Sequence, residues 1–325
     1  MATHLGDRPL KAPVDGLLLL NKPAGITSNQ ALQKVKRLLK AKKAGHTGSL
    51  DPAATGMLPL CFGEATKVCA YLLDADKTYR VTARLGIATD TGDADGKETA
   101  TADVPSLERQ EWEKILAGFL GDIEQVPPMY SALKKHGKRL YEIARMGEVV
   151  DREARNIRIH DIKLIEASGR RLVFRVHCSK GTYVRTLVED IARVAGTVAH
   201  TANLHRESVG NFRAEDMMDL PSAELVAEAG PEALRRQLLP ADVALAAWPQ
   251  RQIDEDAVER FTGGQAVPVG ADNGITGQTG RVRVYSEGDG QFLGVGELAG
   301  DGTVAPRRIF RVAAEKPARG QGKKP

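Results

Sequence analysis

The sequence predicts an α+β protein, on three observations. Apolar residues recur at helical spacing in two separated stretches, Leu32, Val35, Leu38 and Leu39, then Val184, Leu187, Val188, Ile191 and Ala195. Two other stretches alternate as half-buried strands do, Tyr79, Val81, Ala83 and Leu85, then Leu172, Phe174, Val176 and Cys178. Past a break in composition at Leu239 to Pro249, glycine-punctuated short strands at Arg281 to Tyr285 and Gln291 to Glu297 predict a small all-β module.

Taken in order, Gly16 to Leu20 reads as a buried strand, ended by Asn21-Lys22-Pro23-Ala24-Gly25. Thr27 followed by Gln30 forms a capping box, which starts the first helix. Its apolar stripe leaves Lys34, Arg37 and Lys40 facing elsewhere. Gly45 to Pro52 is a glycine-rich loop, and Asp51-Pro52 favours a turn. Asp90 to Gly96 is a polar loop. Leu107, Trp112, Ile115, Leu116 and Phe119 predict a helix beginning near Ser106. Ser179 to Thr182 turns the chain from the strand ending at Cys178 into the helix that Gly196 ends. After Val312 the composition is Lys, Gly, Pro, Gln and Ala, so this tail is expected to be disordered. No repeat occurs at a solenoid period.

With 325 residues, one large domain or two are expected. The three cysteines form no C-x-x-C pair, and an odd count argues against a disulfide framework. A reducing cytoplasm fits best. Met1 to Asp15 is polar and lacks a signal-peptide core, and Leu17 to Leu20 is too short to span a bilayer. The protein is expected to be soluble and intracellular. Net charge is only +4, but its distribution is uneven. Six basic residues fall between Lys34 and Lys43, a second group spans Lys134 to Arg158, and a third spans Arg307 to Lys324. Acidic residues gather elsewhere, as at Asp90 to Glu98. Segregated basic clusters suit an RNA backbone, and equally suit solvated helix faces with a disordered tail.

Several chemistries are excluded. No G-x-x-x-x-G-K-[ST], H-E-x-x-H or G-x-S-x-G motif is present. His46 and Asp51 lack a third metal ligand, so no metal is expected. There remains Asp51, an acidic residue in a glycine-rich loop, which is either a turn residue capping an amide or a working carboxylate. Arg185, early in its helix, either bridges Glu189 on the surface or pins a buried carboxylate and holds it below its ordinary pKa. Tyr79 is either a core aromatic or a platform for an extruded base.

Five separated blocks in one order carry a resemblance. They are Asn21 to Ser28 (NKPAGITS), Gly45 to Pro59 (GHTGSLDPAATGMLP), Asp76 to Arg80 (DKTYR), Val126 to Lys134 (VPPMYSALK) and Cys178 to Arg185 (CSKGTYVR). With them the chain resembles the bacterial TruB-type tRNA pseudouridine-55 synthases almost end to end. Near the end, Gly294 to Glu297 and Val304 to Arg308 resemble that family's small PUA-like domain. The departures are Ser49, where a small residue such as alanine is common, and a longer basic tail.

The resemblance implies a mixed, mostly antiparallel sheet in a catalytic domain over residues 1–250, a β-rich PUA-like RNA-binding domain over 251–312 and a basic tail over 313–325. It implies Asp51 as the essential carboxylate, Tyr79 as the residue that stacks on the base and serves as general base, and Arg185 as the partner of Asp51. His46 would fill the space the uridine leaves. Tyr183 and Leu204 would line the uracil pocket, and Lys22 and Pro23 would support its floor. The implied partner is the T-arm stem-loop of tRNA, met by a cytoplasmic monomer with no cofactor, metal or membrane. Two other functions compete with this one. A non-catalytic tRNA-binding or folding chaperone would not need Asp51, and an unrelated carboxylate hydrolase would need a second acidic partner for which no clear motif exists.

Overall fold

The computed structural model describes residues 13–135, 137–269 and 279–311. The polar start before residue 13 and the predicted tail over 313–325 lie outside the described residues. Early in the chain come β1 (Gly16–Lys22), α1 (Ser28–Leu39), β2 (Ala44–His46), β3 (Thr55–Phe62), α2 (Cys69–Asp74) and β4 (Lys77–Leu85). A small hairpin, β5 (Ile87–Thr89) with β6 (Glu98–Thr101), leads to α3 (Arg109–Ala117) and β7 (Gly121–Gln125). A second hairpin, β8 (Lys134–Lys135) with β9 (Lys138–Arg139), leads to α4 (Leu140–Arg145) and the long pair β10 (Arg155–Ser168) and β11 (Arg171–Cys178). Then follow α5 (Val184–Val194), β12 (Ala199–Val209), β13 (Met218–Asp219), α6 (Leu220–Glu228) and α7 (Pro231–Arg235).

Among the described residues, one nine-stranded sheet runs in the order β13-β1-β3-β12-β4-β11-β10-β7, with β2 added on β3. Most neighbours are antiparallel. Parallel pairing occurs between β13 and β1 and between β12 and β3. The β12–β3 joint is short, with His205 opposite Thr55 and Arg206 opposite Gly56. It links the two halves of the sheet, and the candidate site forms beside it.

Three apolar clusters fix the helices to this sheet. Val81, Phe174 and Val176 pack with Trp112 of α3 and Leu187 and Ile191 of α5. Leu18, Leu20, Leu58 and Leu60 pack with Leu32, Val35 and Leu39 of α1 and with α6 and α7. Leu17, Leu19, Met57 and Cys61 pack with the segment Ala65 to Leu72. Alternation in β1 and β3 therefore splits their side chains between two cores, as period-2 strands require. The capping box is present, with Gln30 N donating to Thr27 Oγ1 at 3.1 Å and Thr27 N donating to Gln30 Oε1 at 2.8 Å.

A second sheet follows, ordered β14 (Gln250–Ile253), β16 (Gly280–Ser286), β17 (Phe292–Leu298), β18 (Thr303–Ile309) and β15 (Val267–Pro268), with α8 (Glu255–Thr262) against it. Val295, Phe310 and Phe292 of this part pack into the same cluster as Leu17 and Met57. Lys67 Nζ donates to Ile309 O at 2.7 Å, and Arg311 N to Glu64 Oε2 at 2.7 Å.

Sequence and structure differ in places. The third helix starts at Arg109, not near Ser106, because Glu108 caps it and its N–H bonds to Glu111 Oε2 at 2.7 Å. The start of the glycine-rich loop is a strand, since Gly45 and His46 pair with Cys61 and Leu60. β12 carries His200, Asn203, His205, Arg206 and Glu207, and shows no apolar alternation. Its position between β3 and β4 makes it a strand.

Gly56 shows how tightly the β12–β3 joint closes. It has φ +99°, and a Cβ there would meet Arg206 O at 2.3 Å and Arg206 N at 2.7 Å. Both the positive φ and the backbone clash oppose a side chain. Gly56→Ala is expected to destabilise the protein by about 2 kcal/mol or more in urea denaturation. A loss below about 0.5 kcal/mol would mean that the joint is looser than this geometry.

Candidate active site

Asp51 lies in the loop between β2 and β3, and that loop is held at several points. Leu50 N donates to Ser28 Oγ at 2.8 Å, and Ser28 Oγ donates to Leu50 O at 3.0 Å. Lys22 is fully buried, and its Nζ donates to Pro23 O at 2.8 Å, Ile26 O at 2.7 Å and Pro52 O at 3.2 Å. Gly25 N also reaches Pro52 O at 2.9 Å, and Ala54 N reaches Asp51 O at 3.1 Å. Every bond that reaches the loop uses its main-chain groups, so the carboxylate itself stays available.

Arg185 approaches from α5. Gln125 at the end of β7 clamps the entry to that helix, accepting from Tyr183 N at 2.7 Å and donating to Tyr183 O at 3.0 Å. Arg185 Nε then stands 3.1 Å from Asp51 Oδ2. Its Nη1 donates to Thr91 O at 2.6 Å, and its Nη2 donates to Tyr130 O at 2.7 Å. Asp93 Oδ2 lies 3.6 Å from Nη1. The guanidinium is 7 % exposed while Asp51 keeps 42 %, so the carboxylate is the open member of the pair. Both residues line a cleft with Ala53, Ala54, Asp93 and Leu204.

The electrostatics differ from the simple expectation for Asp51. Burial in the cleft wall pushes its carboxyl above the ordinary value. Arg185 pulls it back, Asp93 pushes it up again, and Lys22 and Asp95 add smaller effects. The pairing with Arg185 thus offsets part of the desolvation without reversing it. Burial likewise lowers Lys22 to about 8, against the pull of Asp51.

Most of the other residues singled out in the sequence are not on the cleft wall. Tyr79 packs in the cluster with Leu50 and Ala54 and stands opposite Arg206 in the β4–β12 register, and burial raises its pKa. Burial raises the pKa of the Tyr183 hydroxyl. His46 is half-buried, its Nδ1 has no hydrogen-bond partner, and burial lowers its pKa. Pro23 contributes its carbonyl to Lys22. Of this group, Leu204 alone reaches the cleft lining beside Asp51 and Arg185. Sequence reasoning missed Arg206, Asp93, Gln125 and Ser28. The signal for Arg206 was a basic residue inside a segment whose strand character was not legible. Asp93 was hidden in a loop that read as solvent-exposed. Among the described residues, no group of three or more His, Cys, Asp or Glu is placed to hold a metal ion, and no helix is long and apolar enough to cross a membrane.

A carboxylate at the mouth of an apolar cleft, backed by a buried arginine, can attack an electrophilic carbon or stabilise developing positive charge. Residues 36–184 match the TruB family pseudouridylate synthase N-terminal domain. Residues 185–246 match the tRNA pseudouridylate synthase B C-terminal domain, and 249–310 the pseudouridine synthase II TruB C-terminal domain. The chain is 51 % identical to tRNA pseudouridine synthase B of Nitrosococcus oceani, covering 91 % of this chain and 95 % of that one. It is also 51 % identical to tRNA pseudouridine synthase B of Pseudomonas aeruginosa, covering 93 % and 98 %. The solved structure of a Cbf5-Nop10-Gar1 complex is similar, with a TM-score of 0.70 and 27 % identity over 94 % of this chain and 88 % of that one. The chain belongs to the TruB family of pseudouridylate synthases, and is therefore an isomerase.

Two outcomes follow from the Asp51–Arg185 geometry. Arg185→Met should abolish most turnover, and Arg185→Lys should restore only part, because a point charge cannot span Asp51, Thr91 O and Tyr130 O as the planar fork does. Near wild-type kinetics in Arg185→Met would remove the pair from the mechanism. If the carboxylate is the working form, its raised pKa means that activity should fall as pH drops through a value above the ~3.9 of a free aspartate. Residual activity in Arg185→Met should show that acid limb at higher pH, since a charge that lowered the Asp51 pKa is gone. A limb unmoved in the pH–rate profile would assign it to another group.

Proposed function

We propose that this enzyme isomerises uridine 55 in the T-loop of tRNA, with Asp51 as the essential carboxylate. Relatives at half identity carry the tRNA pseudouridine synthase B name, which supports tRNA as substrate and does not favour a non-catalytic chaperone. The observation that carries the reading of the site is the Asp51–Arg185 pair at the cleft that Leu204 helps to line.

The reaction breaks the N1–C1′ glycosidic bond, turns the uracil and forms a C5–C1′ bond. The C5 hydrogen leaves as a proton, and N1 gains one. No electrons enter and no group is lost, so the steps draw on groups that this chain supplies. Asp51 serves as nucleophile toward ribose or base, or balances charge at the sugar, and each role needs it ionised. Arg185 keeps it so against the desolvating wall. In this reading Tyr79 stacks on the base and serves as general base, a role that needs its phenolate, whereas burial raises its pKa. Leu204 and Tyr183 border the uracil, His46 occupies the space the base vacates, and Lys22 with Pro23 supports the floor. Neutral His46 suits a stacked loop interior, since burial disfavours its charged form.

Flipping the uridine costs a few kcal/mol, and phosphate contacts elsewhere on the RNA can offset that. Arg37, Lys40, Lys42 and Lys43 are exposed at the end of α1, next to β2 and the Asp51 loop. The sheet from β14 to β18, within a module proposed to begin at residue 251 and to end at 312, would hold the stem in the same way. One chain supplies Asp51, Tyr79 and Arg185, which supports a monomer. The free Cys61, Cys69 and Cys178 suit a reducing cytoplasm.

The test is tritium release from unmodified tRNA labelled at uracil C5. Wild type should release tritium, and tRNA with uridine 55 replaced by cytidine should give none from that site. Asp51→Asn should release none while binding tRNA within about tenfold of wild type, or about 1.4 kcal/mol. Release by Asp51→Asn at more than a few per cent of the wild-type rate would end the assignment of Asp51.

A further inference from the structure

Arg206 is 1 % exposed, and among the described residues no ion pair within 4.0 Å involves it. A buried charge without a carboxylate is costly, and a guanidinium cannot shed its proton. The neighbouring cations Lys22 and Lys77 can, for burial lowers each to about 8 and Arg206 adds to the effect. Arg206 is thus an obligate positive charge in the interior, and its partners show what it holds. Its Nε donates to Met57 O at 2.7 Å, and its Nη2 donates to Gly48 O at 3.0 Å. Across the β12–β4 ladder Arg206 stands opposite Tyr79. Gly48 stands in the loop that carries Asp51, Met57 in β3 and Tyr79 in β4.

Backbone pairing at the β12–β3 joint is confined to His205–Thr55 and Arg206–Gly56. Such a joint alone gives little rigidity between the two halves of the sheet. The side chain of Arg206 adds bonds across it, from β12 to β3 and to the Asp51 loop. We propose that Arg206 is the positioning residue of this active site, tying the Asp51 loop to β3 through one buried guanidinium on the strand beside Tyr79, so that Asp51 and Tyr79 meet the base in a single frame. This rests on the reading of Asp51 and Tyr79 given above.

The test is single-turnover tritium release by the full chain at saturating C5-labelled tRNA, with Arg206→Lys and Arg206→Gln. A merely structural residue would lower the amplitude, the fraction of folded enzyme, and leave the rate constant unchanged. A positioning residue lowers the rate constant itself, by about 100-fold or more, while the tRNA Kd of folded enzyme stays within about threefold. Lysine should not rescue, because one ammonium on a shorter reach does not reproduce the planar fork that holds Met57 O and Gly48 O from two separate nitrogens. A wild-type rate constant in either variant overturns the proposal. If neither folds, Gly48→Ala takes their place. It leaves Arg206 intact and strains the φ +84° position whose carbonyl Arg206 holds, and a normal rate constant there overturns the proposal equally. Asp51→Asn is run alongside. Activity in it would overturn the underlying site reading, whereas an inactive Asp51→Asn with wild-type rates at Arg206 would overturn this inference alone.

Discussion

Arg185 Nε stands 3.1 Å from Asp51 Oδ2, and both groups sit beside the cluster that contains Leu50, Ala54, Tyr79 and Val184. A carboxylate against such a wall would take up a proton more readily, and here burial does raise its pKa. The pair works only if the arginine is itself held, since a loose guanidinium would turn to solvent. Thr91 O and Tyr130 O hold two of its nitrogens and leave Nε for Asp51. Gln125 in turn fixes the point where α5 begins. The cleft is thus built outward from one ion pair whose members lie 134 residues apart in the chain, from position 51 to position 185.

The loop of Asp51 obeys the same logic from the other side. Its main-chain groups at Gly48, Leu50 and Pro52 bond to Arg206, Ser28 and Lys22. Those anchors come from β12, the start of α1 and the end of β1, so three elements converge on one short turn. Two of the three are buried cations bonded to carbonyls. Carbonyl oxygens can carry part of that charge without competing for Arg185, whereas a carboxylate placed there would pull the arginine away from Asp51. Asp93, 3.6 Å from Arg185, is the nearby acidic group that does press on Asp51, and it raises the Asp51 pKa.

Among the described residues, the C-terminal sheet meets the catalytic part through a shared core and a few polar contacts. Val295 and Phe310 pack with Leu17 and Met57, and Met57 O is one of the carbonyls that Arg206 holds. The hydroxyl of Tyr285 donates to Asp242 at 2.7 Å, and the Arg281 guanidinium lies 5.4 Å and 5.7 Å from the rings of Tyr71 and Trp248. Cation–aromatic stacking of this kind ties a surface without closing it to water.

By itself the sequence determined the strands and helices whose apolar period was clean, namely β1, α1, β4, β11 and α5, because local burial dictates those patterns. It also put forward Asp51, Tyr79 and Arg185 as candidates, each with a structural alternative open until the resemblance of the separated blocks assigned a role. It did not reveal β12, because a strand bordered by β3 and β4 can carry His205, Arg206 and Glu207 once its backbone bonds are satisfied by neighbours. Nor did it reveal Arg206 or Asp93 as neighbours of the site, or the sign of the Asp51 pKa shift. Those depend on which groups lie within a few ångströms after folding. Tertiary structure alone decided them, because desolvation and charge pairing act through space and leave no period in the chain.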